Sequence, residues 1–157
     1  MALPVSYVAA EELVKIGYVN TQRIFRDAPV AVKAAKKIES EFSRRDQDLQ
    51  STAKQLQAMQ DALEKDAVTM SDSDRRAREK ELNELTREFQ RKQREFREDL
   101  NLRQNEENAA IIEKANQAII QIAESEKYDL IVSDVVWASP KLDITDKIIK
   151  ALSTDSK

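Results

Sequence analysis

Residues 42–70 read FSRRDQDLQSTAKQLQAMQDALEKDAVTM, and residues 82–96 read LNELTREFQRKQREF. In the first stretch Phe42, Leu49, Leu56, Leu63 and Met70 stand at every seventh position. In the second Leu82, Phe89 and Phe96 keep the same interval, with Leu85 and Leu100 beside them at helical spacing. Large apolar side chains repeating every seven residues return to nearly one helix face every two turns, so each stretch carries a narrow seam that a second helix covers. The two seams also fit each other. Residues facing across an antiparallel hairpin share one sum of position numbers, and Leu63 with Leu82, Leu56 with Phe89 and Leu49 with Phe96 each give 145. That sum centres the turn between Asp72 and Ser73. The polar run from Met70 to Asp74 fits a turn, and Ser71 or Ser73 can cap the returning helix. The tip is therefore expected near residues 70–74.

Outward from the tip nothing interrupts either helix, because no Gly or Pro occurs between Pro29 and Pro140. Pro29 suits the first turn of the outgoing helix, where its missing N–H is harmless. About 40 residues at ~1.5 Å each reach about 60 Å, so the hairpin is expected to project as an arm. The seam's alternate positions hold Arg45, Thr52 and Asp66 on one side and Lys92 and Asp99 on the other. Charges beside a seam predict loose packing and arms that bend and splay at low cost.

Beyond the arm the composition changes. Ile111, Ile112, Ala115, Ile119, Ile120 and Ile122 make more than one helix face apolar, which predicts entry into a core. Residues 128–133 (YDLIVS) and Val135-Val136-Trp137 replace helix formers with β-branched and aromatic residues and predict two strands or a hairpin. At the other end residues 15–20 (KIGYVN) predict a strand around the single glycine. Thr21 can then cap a brief helical turn carrying Ile24 and Phe25. Near the C-terminus Thr145 can cap a short helix, with Ile144 and Ile149 as a hydrophobic staple.

The expected fold is mainly α with a small β body, interrupted by a long antiparallel coiled-coil hairpin. Residues 15–28 with 128–152 make the body, residues 29–127 the arm, and residues 1–14 and 153–157 are expected to be flexible. The body should contain Ile16, Tyr18, Val19, Ile24 and Phe25 from one end of the chain. From the other come Leu130, Ile131, Val132, Val135, Val136 and Trp137, with Trp137 packed in the body and a client contact as its other reading. Three short strands make a poor isolated sheet with open edges, so pairing with other subunits is expected to complete the body.

Composition removes most chemistry. The 157 residues include no Cys and no His, which excludes thiol nucleophiles, disulfides, imidazole bases and the commonest transition-metal ligands together. One glycine cannot build a phosphate-binding loop. Pairs such as Glu106 with Glu107 and Asp143 with Asp146 lack the spacing of a metal loop and suit helix charge and capping. No enzyme, cofactor or metal is expected. A net charge of -3 gives no drive toward nucleic acid. No stretch approaches the ~20 apolar residues of a membrane-spanning helix. Met1 to Ala10 lack the basic start and apolar run of an intact secretion signal, which is expected to be absent or removed.

Three segments are similar to the Skp (OmpH-like) family: KIGYVNTQRIF at residues 15–25, YDLIVSD at 128–134 and LDITDKIIKAL at 142–152. The resemblance runs from Lys15 to Leu152 in element order, with the arms matching by heptad composition. It implies a homotrimer whose strands form an intersubunit β-barrel and whose hairpins surround a cavity. It further implies an ATP-independent holdase of the periplasm that keeps unfolded outer-membrane β-barrel proteins from aggregating. Family members are strongly basic, whereas this chain is mildly acidic, so membrane contact is weakly supported. Its charge is uneven, since Arg75 to Arg103 holds ten Lys and Arg against seven Asp and Glu. Met59, Met70, Arg75, Arg76 and Arg78 are the candidate client contacts, with seam packing for the methionines and a solvated helix face for the arginines as the other reading. A coiled-coil scaffold or adaptor of the cell envelope is the alternative function.

Overall fold

The structure, a computed structural model, describes residues 13–154. The ends expected to be flexible lie outside the described residues except for residues 13, 14, 153 and 154. In chain order the elements are β1 (Ile16–Tyr18), α1 (Thr21–Asp27), α2 (Pro29–Asp66), α3 (Asp72–Glu126), β2 (Leu130–Val132), a 3-10 turn (Pro140–Leu142) and α4 (Thr145–Thr154). They pack as two units: Lys33–Ala110, and the described parts of Met1–Val32 and Ile111–Lys157 together. The protein is mainly α, with one long antiparallel hairpin and a small sheet.

In the unit formed by the chain ends, β1 and β2 lie side by side in parallel, Ile16 opposite Leu130 and Tyr18 opposite Val132. Parallel neighbours need a long crossover, and here the whole hairpin serves as one. Tyr18 is also bridged to Asp143 on its other side, where the Ile144 N–H donates to the Tyr18 carbonyl at 2.9 Å. The core beneath contains Val19, Ile24, Ile144, Ile148 and Leu152, joined by Ile111, Ala115 and Ala118 of α3. Gly17 is buried there, and a Cβ at that position would stand 3.1 Å from Ile144 Cδ1 and 3.2 Å from the Tyr128 ring. Close approach of strand to side chains is why this position is a glycine.

Three local expectations are corrected. Asn20, not Thr21, caps α1, its side-chain oxygen accepting from the Arg23 N–H at 3.0 Å. Thr145 does not cap α4: its hydroxyl accepts from the Asn20 N–H at 2.9 Å, and the Asp143 carboxylate takes the Thr145 N–H at 2.8 Å. A buried threonine thus ties the two chain ends together, while the neighbouring aspartate satisfies the helix start. Val135 to Trp137 form no strand. Asp134 adopts φ 54, a left-handed conformation that turns the chain away from the extended path of β2.

Helix α3 ends by a related device. Lys127 has φ 56, and the Tyr128 N–H reaches back to the Ala123 carbonyl at 2.9 Å, the six-to-one bond that closes many helices. This reversal leads the chain into β2.

In the unit Lys33–Ala110 the helices are joined by residues 67–71, so the connection begins three residues before the expected tip. The Thr69 and Met70 N–H groups donate to the Asp66 carbonyl, closing α2. Ser71 is the cap of α3, its hydroxyl accepting from the Asp74 N–H at 3.1 Å. Ser73 lies already inside the helix. A heptad repeat leaves register undetermined by whole heptads, because any shift of seven lays leucine on leucine. The caps break that tie.

Candidate functional site

On α2 the side chains at 42, 45, 49, 52, 56, 59, 63 and 66 form an unbroken buried or half-buried stripe, continued by Met70 in the connection. Its spacing alternates three and four, as a helix facing one neighbour requires. Only Phe42 in it is fully buried; Leu49, Leu56 and Leu63 are half exposed, as are Leu82, Phe89 and Phe96 opposite. Phe42 meets Phe96 edge to face with ring centroids 5.6 Å apart, and the Arg45 guanidinium stands 5.6 and 5.7 Å from the two ring centres. Leu49 lines one groove with both Phe89 and Phe96, while Leu56, Leu63, Leu82 and Phe89 line another. The ring pair Phe42 and Phe96 sums to 138, one heptad from the expected 145, while Leu49 shares its groove with both Phe89 and Phe96, the partners from the two alignments.

The expected charged seam positions on α3 are corrected: Lys92 and Asp99 are exposed, and Gln93 and Leu100 occupy the half-buried places. Three or four residues after an apolar seam position lie on opposite flanks of the helix, and packing against α2 selects the fourth. Asp99 instead reaches across the outside to Arg45 at 2.8 Å. Arg103 joins α2 to α3 through Glu41 at 3.2 Å and binds Glu106 and Glu107 on its own helix. Lys37 adds a bond to Glu107 at 3.3 Å. The hydrogen bond to Glu106, then that to Glu41, holds the Arg103 pKa above its ordinary value.

Among the candidate client contacts, Met59 and Met70 are half-buried within the stripe. Arg75 and Arg78 are exposed and ion-paired, with Asp72 and Asp66 at 3.4 Å each. Arg76 is exposed and shares a shallow groove with Glu79, Lys80, Glu84 and Arg87.

In the unit of the chain ends, the predicted residues separate into two groups. Val19 and Ile24 are core of the single chain, and Tyr18, Ile131 and Val132 are half-buried. Ile16, Phe25, Leu130 and Val135 are exposed, and Val136 and Trp137 stand almost free at 107% and 79% of full exposure. Within one chain the turn at Asp134 carries Trp137 off the sheet.

Two ion networks missed by the sequence reading tie this unit together. Arg23 of α1 binds Asp146 at 2.6 Å and Asp143 at 3.6 Å, which accounts for those carboxylates without a metal. Glu126 accepts from Lys147 at 2.6 Å, which lowers the glutamate pKa and raises that of the lysine. Lys15 donates to the Glu126 carbonyl at 2.6 Å and stands 4.1 Å from the Tyr128 ring centre. Nothing in the spacing of these residues marks them as partners; the pairing of β1 with β2 and the packing of α4 against α1 bring them together. Among the described residues no group of three or more acidic, His or Cys side chains could hold a metal ion, and no helix is long and apolar enough to cross a membrane.

A long helical hairpin with a half-exposed seam, combined with a small sheet made from both chain ends, defines an OmpH-type architecture. An OmpH-like outer membrane chaperone from Caulobacter crescentus CB15 shares this fold with a TM-score of 0.75. It is 17% identical and aligns over 98% of this chain and 92% of its own. The family model described as outer membrane protein (OmpH-like) matches residues 15–152. The chaperone protein Skp of Yersinia enterocolitica is 32% identical over 96% of this chain and 93% of its own length. That of Escherichia coli K12 is 29% identical over 93% and 87%. The chain belongs to the OmpH-like (Skp) family, whose curated relatives here are chaperones rather than enzymes.

Proposed function

We propose that this protein is an ATP-independent holdase of the periplasm, which binds unfolded outer-membrane β-barrel proteins between helical arms and prevents their aggregation in transit. The observation that carries the reading is the seam of the hairpin, whose large apolar side chains outside Phe42 are only half covered by the partner helix. Such a surface offers many weak apolar contacts, while the dense charge around it keeps arms from collapsing onto one another. Holding a chain this way consumes no nucleotide, in keeping with a sequence that has one glycine and no phosphate loop. The acting form is a homotrimer. Support comes from the exposed Leu130, Val136 and Trp137 and from a sheet of only two short strands, which bury apolar surface and pair edges when copies associate.

The test is light scattering after size exclusion, with and without a urea-unfolded outer-membrane barrel protein. A trimer of three 18.0 kDa chains, about 54 kDa, that carries the client soluble on dilution is expected. A stable assembly that leaves the client to aggregate would favour a scaffold or adaptor. Deleting residues 49–96 should abolish client holding while the trimer persists; unchanged holding would make the remaining unit the binder.

A further inference from the structure

The groove floored by Leu56, Leu63, Leu82 and Phe89 has a lining unlike the rest of the chain. Charged residues make up 35% of the sequence, yet Glu64 is the single charged residue among those lining this groove. Its rim consists of carboxamides: Gln57 and Gln60 from α2, and Asn83, Gln90 and Gln93 from α3. Gln57 and Gln60 donate along their own helix to Asp61 and Glu64, whereas the Asn83 and Gln90 side chains make no hydrogen bond among the described residues. The groove is shallow and open to solvent, with a volume of about 690 Å³.

Charge also marks off this section of the arm. Among the described residues, ion pairs between α2 and α3 join Lys37 to Glu107, Glu41 to Arg103 and Arg45 to Asp99 on one side, and Asp66 to Arg78 on the other. None crosses between them. The middle of the hairpin is thus closed by half-covered apolar contacts, and this groove with its carboxamides differs from a neighbouring one lined by Arg45, Asp48, Lys92 and Glu95.

We propose that this groove is a peptide-holding site that takes about five residues of uncharged, extended chain. The inference rests on the chaperone reading and assigns a place and a ligand chemistry within it. Between Ala53 and Glu64 the groove runs about 16 Å along α2 at ~1.5 Å per residue, and an extended chain covers that length with about five residues. Alternate apolar side chains of the segment enter the leucine and phenylalanine floor. Its backbone N–H and C=O groups, unpaired in an unfolded chain, meet carboxamides that both donate and accept. Such a rim recognises main chain whatever the sequence. A charged rim would have to be desolvated beneath the segment, and a charged segment would be desolvated on the apolar floor.

The experiment uses the full chain and a fluorescein-labelled, end-capped ten-residue peptide of alternating Val and Ser, with a companion carrying Lys and Glu in place of Ser. The variant Asn83→Asp with Gln90→Glu adds charge to the rim with little change of shape, and the control Gln47→Glu with Gln104→Glu adds the same charge away from it. By fluorescence anisotropy the wild type and control should bind the uncharged peptide alike and prefer it to the companion. The rim variant should bind it about tenfold more weakly, with unchanged helicity and assembly mass. A second variant, Asn83→Ala with Gln90→Ala, should show a smaller loss in the same direction. The proposal is overturned if the uncharged peptide fails to bind, if both peptides bind equally, or if the rim variant keeps full affinity. A change of assembly mass in place of peptide affinity would overturn it in favour of a second copy in the groove. If the wild type holds an unfolded barrel protein soluble and the rim variant holds it equally, the groove assignment fails while the chaperone reading stands. If the wild type itself fails to hold it, both fall.

Discussion

Replacing Phe42 by Ala tests the packing of the arm at its one fully buried aromatic. A phenylalanine side chain covers roughly 150 Å² or more of apolar surface, worth about 4 kcal/mol at ~25 cal/mol per Å². Phe42 is 7% exposed, so nearly all of that is realised. Alanine keeps a small part of it, and because Phe96 and Leu49 nearby are half exposed, water can enter the space left behind. The expected loss is about 3 kcal/mol, at the low end for this substitution. The edge-to-face contact with Phe96 should appear as a coupling of about 1 kcal/mol in a double-mutant cycle. Hydrogen exchange read by mass spectrometry is the assay, since it reports local opening segment by segment. Exchange should rise about a hundredfold around residues 38–49 and 92–103 and little near β1 and β2. A rise below about tenfold, or losses at Phe42 and Phe96 that simply add, would refute the idea that these two rings clamp the arm.

Four further outcomes are expected. Gly17→Ala should lower the thermal midpoint by an amount equivalent to about 1–3 kcal/mol, because the new Cβ meets Ile144 and Tyr128, and calorimetry would register it. Ser71→Ala should cost about 1 kcal/mol and speed exchange at residues 72–75, whereas Ser73→Ala should leave that segment nearly unchanged. Lys127→Gly should raise the thermal midpoint slightly, since the left-handed backbone there disfavours a side chain. In acid the thermal midpoint should fall. Lys147 holds the Glu126 pKa below its ordinary 4.5, so this carboxylate's stabilisation is complete above that value and is lost as pH falls through the lowered one; Glu126→Gln should flatten part of the decline in a pH series of melts.

The long helices and the facing seams were legible because they follow from periodicity and from the lack of Gly and Pro, which are local properties. Pro29 opens α2 as its chemistry predicts. Exact register was not legible, because heptads repeat and only the hydrogen bonds at Asp66 and Ser71 select one alignment. Val135 to Trp137 read as a strand by composition, yet strand formation depends on a neighbour and on backbone direction, and Asp134 turns the chain aside. The caps expected at Thr21 and Thr145 were misplaced for a related reason. Asn20, one residue earlier, takes the α1 cap, and because β1 lies beside the start of α4 the Thr145 hydroxyl serves the Asn20 N–H instead. The carboxamides of the groove were not legible, because Gln57, Gln60, Asn83, Gln90 and Gln93 lie scattered on two helices and only the hairpin sets them around one apolar floor.

The parallel pairing of β1 with β2 also dictates an order of events in folding. The Lys15 N–H donates to the Asp129 side chain across 114 residues, and a flexible loop of that length costs roughly 4 kcal/mol to close. If the hairpin zips up first, from local contacts near Ser71, the free chain left to close shortens to about fifteen residues and the cost falls by nearly 2 kcal/mol. During synthesis β1 emerges early and must wait for almost the entire polypeptide before its mate exists.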